Sequence, residues 1–169
     1  MTPPPPDEAP PPETPAAAVD PAAAFALFND IGIVNQLATV RLRRVLPEGM
    51  EPAHFTVLNH FARLGGERSP ADLARAFQVG KATMTNTVQR LAAAGYVAVR
   101  PDPRDGRAKR VSLTPEGRAA RDRAIAALAP ELADLAALIG ADRIARLAPD
   151  LKALREVLDR ARDADPPEP

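Results

Sequence analysis

Lys81, Thr83, Thr85, Asn86, Thr87 and Arg90 fall within ten residues, and each ends in a hydrogen-bonding group. Asn offers a donor beside an acceptor, Thr a hydroxyl beside a methyl, and Lys and Arg a positive charge. Together they can recognise a surface of donors, acceptors and negative charge. A second group follows in PDPRDGRAKR, where Arg104, Asp105, Arg107, Lys109 and Arg110 crowd a stretch rich in Pro and Gly. There Asp102 and Asp105 interleave with the arginines, and a carboxylate beside a guanidinium can hold its fork in one pose. No nucleophile–base pairing, phosphate loop or metal cluster is present. No catalytic residue, cofactor or metal is expected.

Charge separates the parts of the chain. The formal net charge is zero over 169 residues. However, residues 1–20 hold four carboxylates and no Lys or Arg, and residues 163–169 hold three more. The remainder is therefore basic. Between Gly80 and Arg118, eight basic residues stand against Asp102, Asp105 and Glu116. Such a concentration is the electrostatic footprint of a polyanion binder. The same surface would also suit a protein-interaction module meeting an acidic protein partner. Zero Cys excludes disulfides and thiol switching, and two His make a metal centre a poor prospect. No apolar run approaches the roughly 18 residues of a membrane helix, and MTPPPPDEAPPPETP has neither the basic start nor the apolar core of a signal peptide. A soluble, cytoplasmic protein without membrane contact is expected.

The elements that would position these groups are mostly helical. Residues 1–20 are a Pro-rich acidic tail expected to be disordered, as are residues 163–169. From Ala22 to Leu46, apolar residues recur at three- and four-residue steps, giving a long amphipathic helix that Pro47 and Gly49 end. Its apolar face is wide enough for burial against a partner chain as well. Pro52 opens a second helix that stops at Gly65-Gly66. Ser69-Pro70-Ala71-Asp72 is a capping-box start for a short helix, and a brief turn at Gln78–Gly80 leads into the helix Lys81–Ala94. Two short runs, 96–100 and 110–113, read as strands of a β-hairpin with a long tip. Thr114-Pro115 starts a long helix with a kink expected at Pro130. Gly140 ends it, and a last helix has Pro149 at its start or as its break from a preceding turn.

The fold class is mainly α with a small β-hairpin wing (α+β): a winged helix-turn-helix between long terminal helices. The expected division is 21–47 as an N-terminal dimerisation helix, 51–114 as a DNA-binding lobe, and 115–162 as C-terminal dimerisation helices. In the helix 81–94, Met84, Val88 and Leu91 share the buried face, leaving Lys81, Thr83, Asn86, Thr87 and Arg90 outward. A helix with short polar groups near its N-terminus suits the major groove, where Asn can pair with adenine and a Thr methyl can meet thymine. An arginine on the narrow hairpin suits the minor groove. Double-stranded DNA is the expected partner.

At these residues the sequence resembles the MarR (multiple-antibiotic-resistance regulator) family of bacterial transcription factors. The match is carried by residues 102–117, DPRDGRAKRVSLTPEG, similar to that family's D-x-R-D-x-R wing and the helix start after it. Upstream, Leu73-Ala74, GKATMTNTVQRL and Gly95-Tyr96-Val97 look like its helix-turn-helix. The resemblance implies that Arg107 enters the minor groove with Asp105 as its orienting partner, and that Thr83, Asn86 and Arg90 contact bases and phosphates. It implies a homodimer binding a pseudo-palindromic operator, as a ligand-responsive repressor. It also implies a small aromatic or lipophilic effector, in a pocket lined by Phe28, Ile31, Asn35, His54, Leu58 and Phe61. Two positions depart from the pattern: Gly106, where many members carry a second arginine, and Gly80, where a capping Ser is common.

Overall fold

The computed structural model describes residues 20–164, so the tail expected over 1–20 lies outside the described residues except for Asp20, as do residues 165–169. In order along the chain are α1 (Pro21–Val45), α2 (Pro52–Leu64), α3 (Pro70–Ala76), α4 (Lys81–Ala93), β1 (Val97–Pro101), β2 (Lys109–Leu113), α5 (Pro115–Ile139) and α6 (Ala141–Ala164). The chain divides within α1: residues to Leu37 form one unit and those from Ala38 the other. In the first unit Phe25, Val34 and Leu37 are 72%, 65% and 62% exposed. By length and composition alone, α1 would also be apolar enough to cross a membrane. Its Ala, Ile, Leu and Val outweigh scattered Asn, Asp and Gln, and its longest unbroken apolar run, 22–28, is far short of the roughly 18 residues of a membrane helix.

The second unit is built around one core. Val57, Leu58 and Phe61 of α2 meet Leu73 and Ala74 of α3, Met84, Val88 and Leu91 of α4, Val97 of β1, Val111 of β2 and Ala120 of α5. The spacings are those of one face of each helix and alternate positions of each strand, which is how short elements share a single interior. Truncating one of the sealed residues, such as Leu58, would cost about 2–5 kcal/mol.

Local signals explain the boundaries. Ser69 caps α3 by accepting the Asp72 amide (3.0 Å), while the Ser69 hydroxyl and amide donate to the Asp72 carboxylate (2.8 and 3.3 Å). The first turn of α2 has a cap that sequence reading did not specify: the Glu51 amide donates to Nδ1 of His54 at 3.0 Å. Gln78, at φ 51°, turns the chain between α3 and α4. The Thr114 hydroxyl donates to Gly95 O (2.7 Å) and accepts from the Gly117 amide (2.9 Å), fixing α5 on the end of the hairpin.

Gly117 is needed there. A Cβ at this position would clash with the Tyr96 carbonyl oxygen and lie 2.9 Å from Leu113. The Arg121 guanidinium then ties α5 to α2 by donating twice to Asn59 Oδ1, at 3.1 and 2.9 Å.

The C-terminal region differs from expectation in two ways. One helix runs through Pro149 from Ala141 to Ala164, so Pro149 neither starts nor breaks it, and residues 163 and 164 belong to that helix. Carbonyls and amides near a helical Pro lose one ladder bond, and here the flanking Ala, Leu and Arg residues are strong enough helix formers to continue. The axes of α5 and α6 bend by 104° at Gly140.

Candidate nucleic-acid interface

The site begins with α4. Met84, Val88 and Leu91 are 3%, 4% and 1% exposed, so the helix is clamped by that face to the core. With roughly 100° between successive residues, Asn86 lies almost opposite them. Lys81, Thr83, Thr85, Asn86 and Arg90 are exposed and Thr87 is half-buried. Two hydroxyls are already committed: Thr85 donates to Lys81 O at 2.8 Å and Thr87 to Thr83 O at 3.0 Å. These two residues therefore present methyls more than donors, whereas Thr83 and Asn86 keep their polar groups outward. No side chain caps the helix at Gly80, which leaves its first amides open toward an anion.

The hairpin supplies the second part. Its strands pair antiparallel from Val97↔Leu113 to Pro101↔Lys109. The linker before α3 adds a third edge, because Arg68 and Val111 exchange both backbone hydrogen bonds (3.0 and 2.9 Å). Glu67 on that linker receives a 2.6 Å hydrogen bond from Arg100. This attachment braces the hairpin from its middle, at Val111, to Arg100, one register pair short of the strand ends from which the 102–108 tip projects.

Within the tip the carboxylates act on the backbone. Asp105 Oδ1 accepts from the Arg107 amide (2.9 Å), and Asp102 Oδ1 from the Arg104 amide (2.9 Å). The Asp102 amide donates to Ala108 O, closing the loop. Asp105 thus shapes the loop under Arg107, through the Arg107 amide and not the guanidinium. An Asp two residues before an amide can reach it within a single turn, a shorter span than that to the end of an Arg side chain.

The carboxylate that does hold a guanidinium is Asp102, a residue the sequence reading placed among the tip arginines but not at the site. It is 8% exposed and accepts from Nε of Arg110 at 2.6 Å. The Arg104 amide holds the Asp102 carboxyl below its ordinary range, against an opposing effect of desolvation, with Arg110 adding to the lowering. Its signal in the sequence was the D-x-R spacing at a strand end. In contrast, Arg104, Arg107 and Lys109 are exposed and form no ion pair among the described residues. The wing thus pairs its basal arginines and displays its distal cations.

The six residues assigned to an effector pocket fall in both units. Phe28, Ile31 and Asn35 stand on α1 in the first unit. Leu58 and Phe61 are 0% and 1% exposed and fill the core of the second. The reason is that α2 directs both at α3, α4 and the hairpin. His54 is buried as the helix-capping acceptor of the Glu51 amide, and burial, then Arg90, lower its pKa from the ordinary value.

Residues 48–108, covering the helix-turn-helix and most of the wing, match the model of the MarR family. The transcriptional activatory protein BadR of Rhodopseudomonas palustris is 35% identical over 86 residues, 50% of this chain. That alignment spans about half of the relative, 49%. Among solved structures, wild-type MarR of E. coli in its apo form is 29% identical, with a TM-score of 0.66 over 76% of this chain and 95% of that one. A mutant E. coli MarR complexed with operator DNA is 28% identical, with a TM-score of 0.62 over 78% of this chain and 95% of that one. With the hairpin, the outward face of α4 and the order of flanking helices in agreement, residues 48–108 carry a MarR-family winged helix-turn-helix, and the chain is similar in fold to MarR-family transcriptional regulators.

Proposed function

We propose that this protein is a homodimeric, sequence-specific DNA-binding repressor that reads a pseudo-palindromic operator. Asn86, Thr83 and the Thr85 and Thr87 methyls meet base edges in the major groove. Lys81 and Arg90 meet phosphate, and the wing carries Arg107 into the minor groove, flanked by Arg104 and Lys109. The observation that carries this reading is the pairing pattern of the wing: Arg100 and Arg110 are held by carboxylates, while the three distal cations are displayed. An E. coli MarR that is 28% identical was solved with operator DNA.

Dimerisation is supported by where apolar surface remains. Apart from Leu64, Val79 and Val99, the exposed large apolar side chains sit on α1, α5 and α6, with Leu138 84% exposed. That much exposed apolar surface on long helices calls for a partner, and a two-fold pair would place half-sites about one helical turn apart. Its DNA target would hold the protein at the nucleoid. The test is fluorescence anisotropy of the purified protein on its own upstream region at several salt concentrations. Salt-sensitive, sequence-dependent binding by a dimer is expected, and binding independent of DNA sequence would refute the reading. Derepression of a reporter on deletion of the gene tests the sign of regulation.

A further inference from the structure

A cavity of about 450 Å³ opens on the second unit between α2, the α2–α3 linker, α3, β2 and α6. Four arginines line it, each from a different element: Arg68 of the linker, Arg75 of α3, Arg110 of β2 and Arg162 of α6. We propose that this cavity is a binding site for a small polyanion bearing carboxylate or phosphate groups, distinct from the DNA-contacting face.

Three of the guanidinium groups are fixed by carboxylates. Asp72 holds Arg75 (3.1 Å), Asp102 holds Arg110 (2.6 Å) and Asp159 holds Arg162 (3.0 Å). Arg68 donates to Glu67 O at 2.8 Å, and Arg162 also to Ala76 O at 3.2 Å. Each guanidinium has five donors in a rigid fork, so one anchored edge leaves Arg68, Arg75 and Arg110 with others to offer. Preorganised forks are what recognise carboxylate and phosphate oxygens in pairs.

The two acidic residues in the wall do not cancel this field, because both are engaged. Glu67 is bound by Arg100, and Asp72 by Ser69 and Arg75. The arginines also act, as smaller effects, on the two titrating groups beside them. Burial, then Arg63, Arg68 and Arg162, lower the pKa of His60. The Ser69 hydrogen bond, assisted by Arg75 and Arg110, lowers that of Asp72. The volume is within the range of small-molecule sites, roughly 300–1,000 Å³, and too narrow for a duplex.

Arg110 gives the site a route to the wing, since the same side chain is seated on Asp102. An anion drawing on Arg110 and Arg162 would link α6 to the root of the wing tip. This coupling rests on the DNA-binding reading, whereas the anion site itself does not.

The test is isothermal titration calorimetry of the full chain, without DNA, using pyrophosphate and citrate as probes. Saturable binding of either is expected. Preference for pyrophosphate would assign the phosphate class and preference for citrate the carboxylate class. Arg75→Gln should weaken binding at least tenfold, and Arg75→Gln with Arg162→Gln should abolish it. Arg160→Gln, an exposed change on α6 outside the cavity, should have no effect. Melting temperatures of the variants check folding, with Arg75→Gln the milder change. The proposal fails if neither probe binds, if Arg160→Gln weakens binding as much as Arg75→Gln, or if Arg75→Gln lowers DNA affinity without altering anion binding.

Discussion

Asp102 and Arg110 join the two ends of the wing tip: the carboxylate at the end of β1 accepts Nε–H of the arginine on β2 at 2.6 Å. The same carboxylate caps the Arg104 amide. One side chain therefore sets both the turn into the tip and the pose of its basal cation. Loss of Asp102 should free the tip without touching the core. Asp102→Asn is expected to weaken DNA binding on the order of tenfold, while the melting temperature moves little. Unchanged affinity, measured by anisotropy, would show that the wing keeps its shape without this pair.

Arg107 and Asn86 should fail in different ways. Arg107→Ala should weaken binding to all sequences and reduce the slope of log K against log salt by about one. Asn86→Ala should cost about 1–3 kcal/mol at particular base pairs and flatten preference there. A panel of single-base operator variants separates these outcomes, and equal loss on every sequence for both variants would contradict the division of roles.

Gly106 is open to gain of function. Its φ is not positive, and an added Cβ would meet nothing within 4 Å. Gly106→Arg should therefore fold normally and tighten binding, with a salt slope steeper by about one. Weaker binding with an intact fold would indicate that the tip must approach DNA more closely than an arginine allows.

Gly117 and Gly80 should respond oppositely to a side chain. Gly117→Ala forces the Tyr96 backbone and Leu113 apart and should cost about 1–3 kcal/mol or more. Gly80→Ser provides a cap for α4 where none exists and should stabilise by a few tenths of a kcal/mol. Thermal denaturation of the two variants checks both signs.

Mild acid should destabilise the protein through its histidines. His54 and His60 both have pKa values lowered from 6.5, chiefly by burial. The unfolded chain then binds protons first as pH falls, so their contribution is complete above about pH 6.5 and declines below it. Protonated His54 would also lose its Nδ1 acceptor for the Glu51 amide. The melting temperature should fall between pH 7 and 5.5, and His54→Gln with His60→Gln should reduce that fall. Asp72, lowered from 3.8, contributes above that value and is lost only in stronger acid.

Much of the fold is legible in the chain because its signals are local. Ser69 and Asp72, three residues apart, specify a helix start. Met84, Val88 and Leu91 specify which side of α4 faces inward, and through it which side is left for recognition. Pro and Gly around Arg104 and Arg107 specify a turn. Such patterns depend on the period of the backbone and the reach of short side chains, and both can be read along the sequence.

Relations across the chain could not be read that way. Nothing local tells Arg68 to pair with Val111, Glu67 to meet Arg100, or Asp102 to choose Arg110 over the nearer Arg104 and Arg107. An apolar residue on α2 reads the same whether it lines a cavity or fills a core, so only packing could show that Leu58 and Phe61 are sealed. The meeting of Arg68, Arg75, Arg110 and Arg162, from positions up to 94 residues apart, likewise belongs to the tertiary structure alone. Sequence determined the polar outward face of α4 and the basic wing, because each is a short-range pattern. The fold decided which charges are spent on holding that wing and which remain to bind, because pairing depends on distance in space.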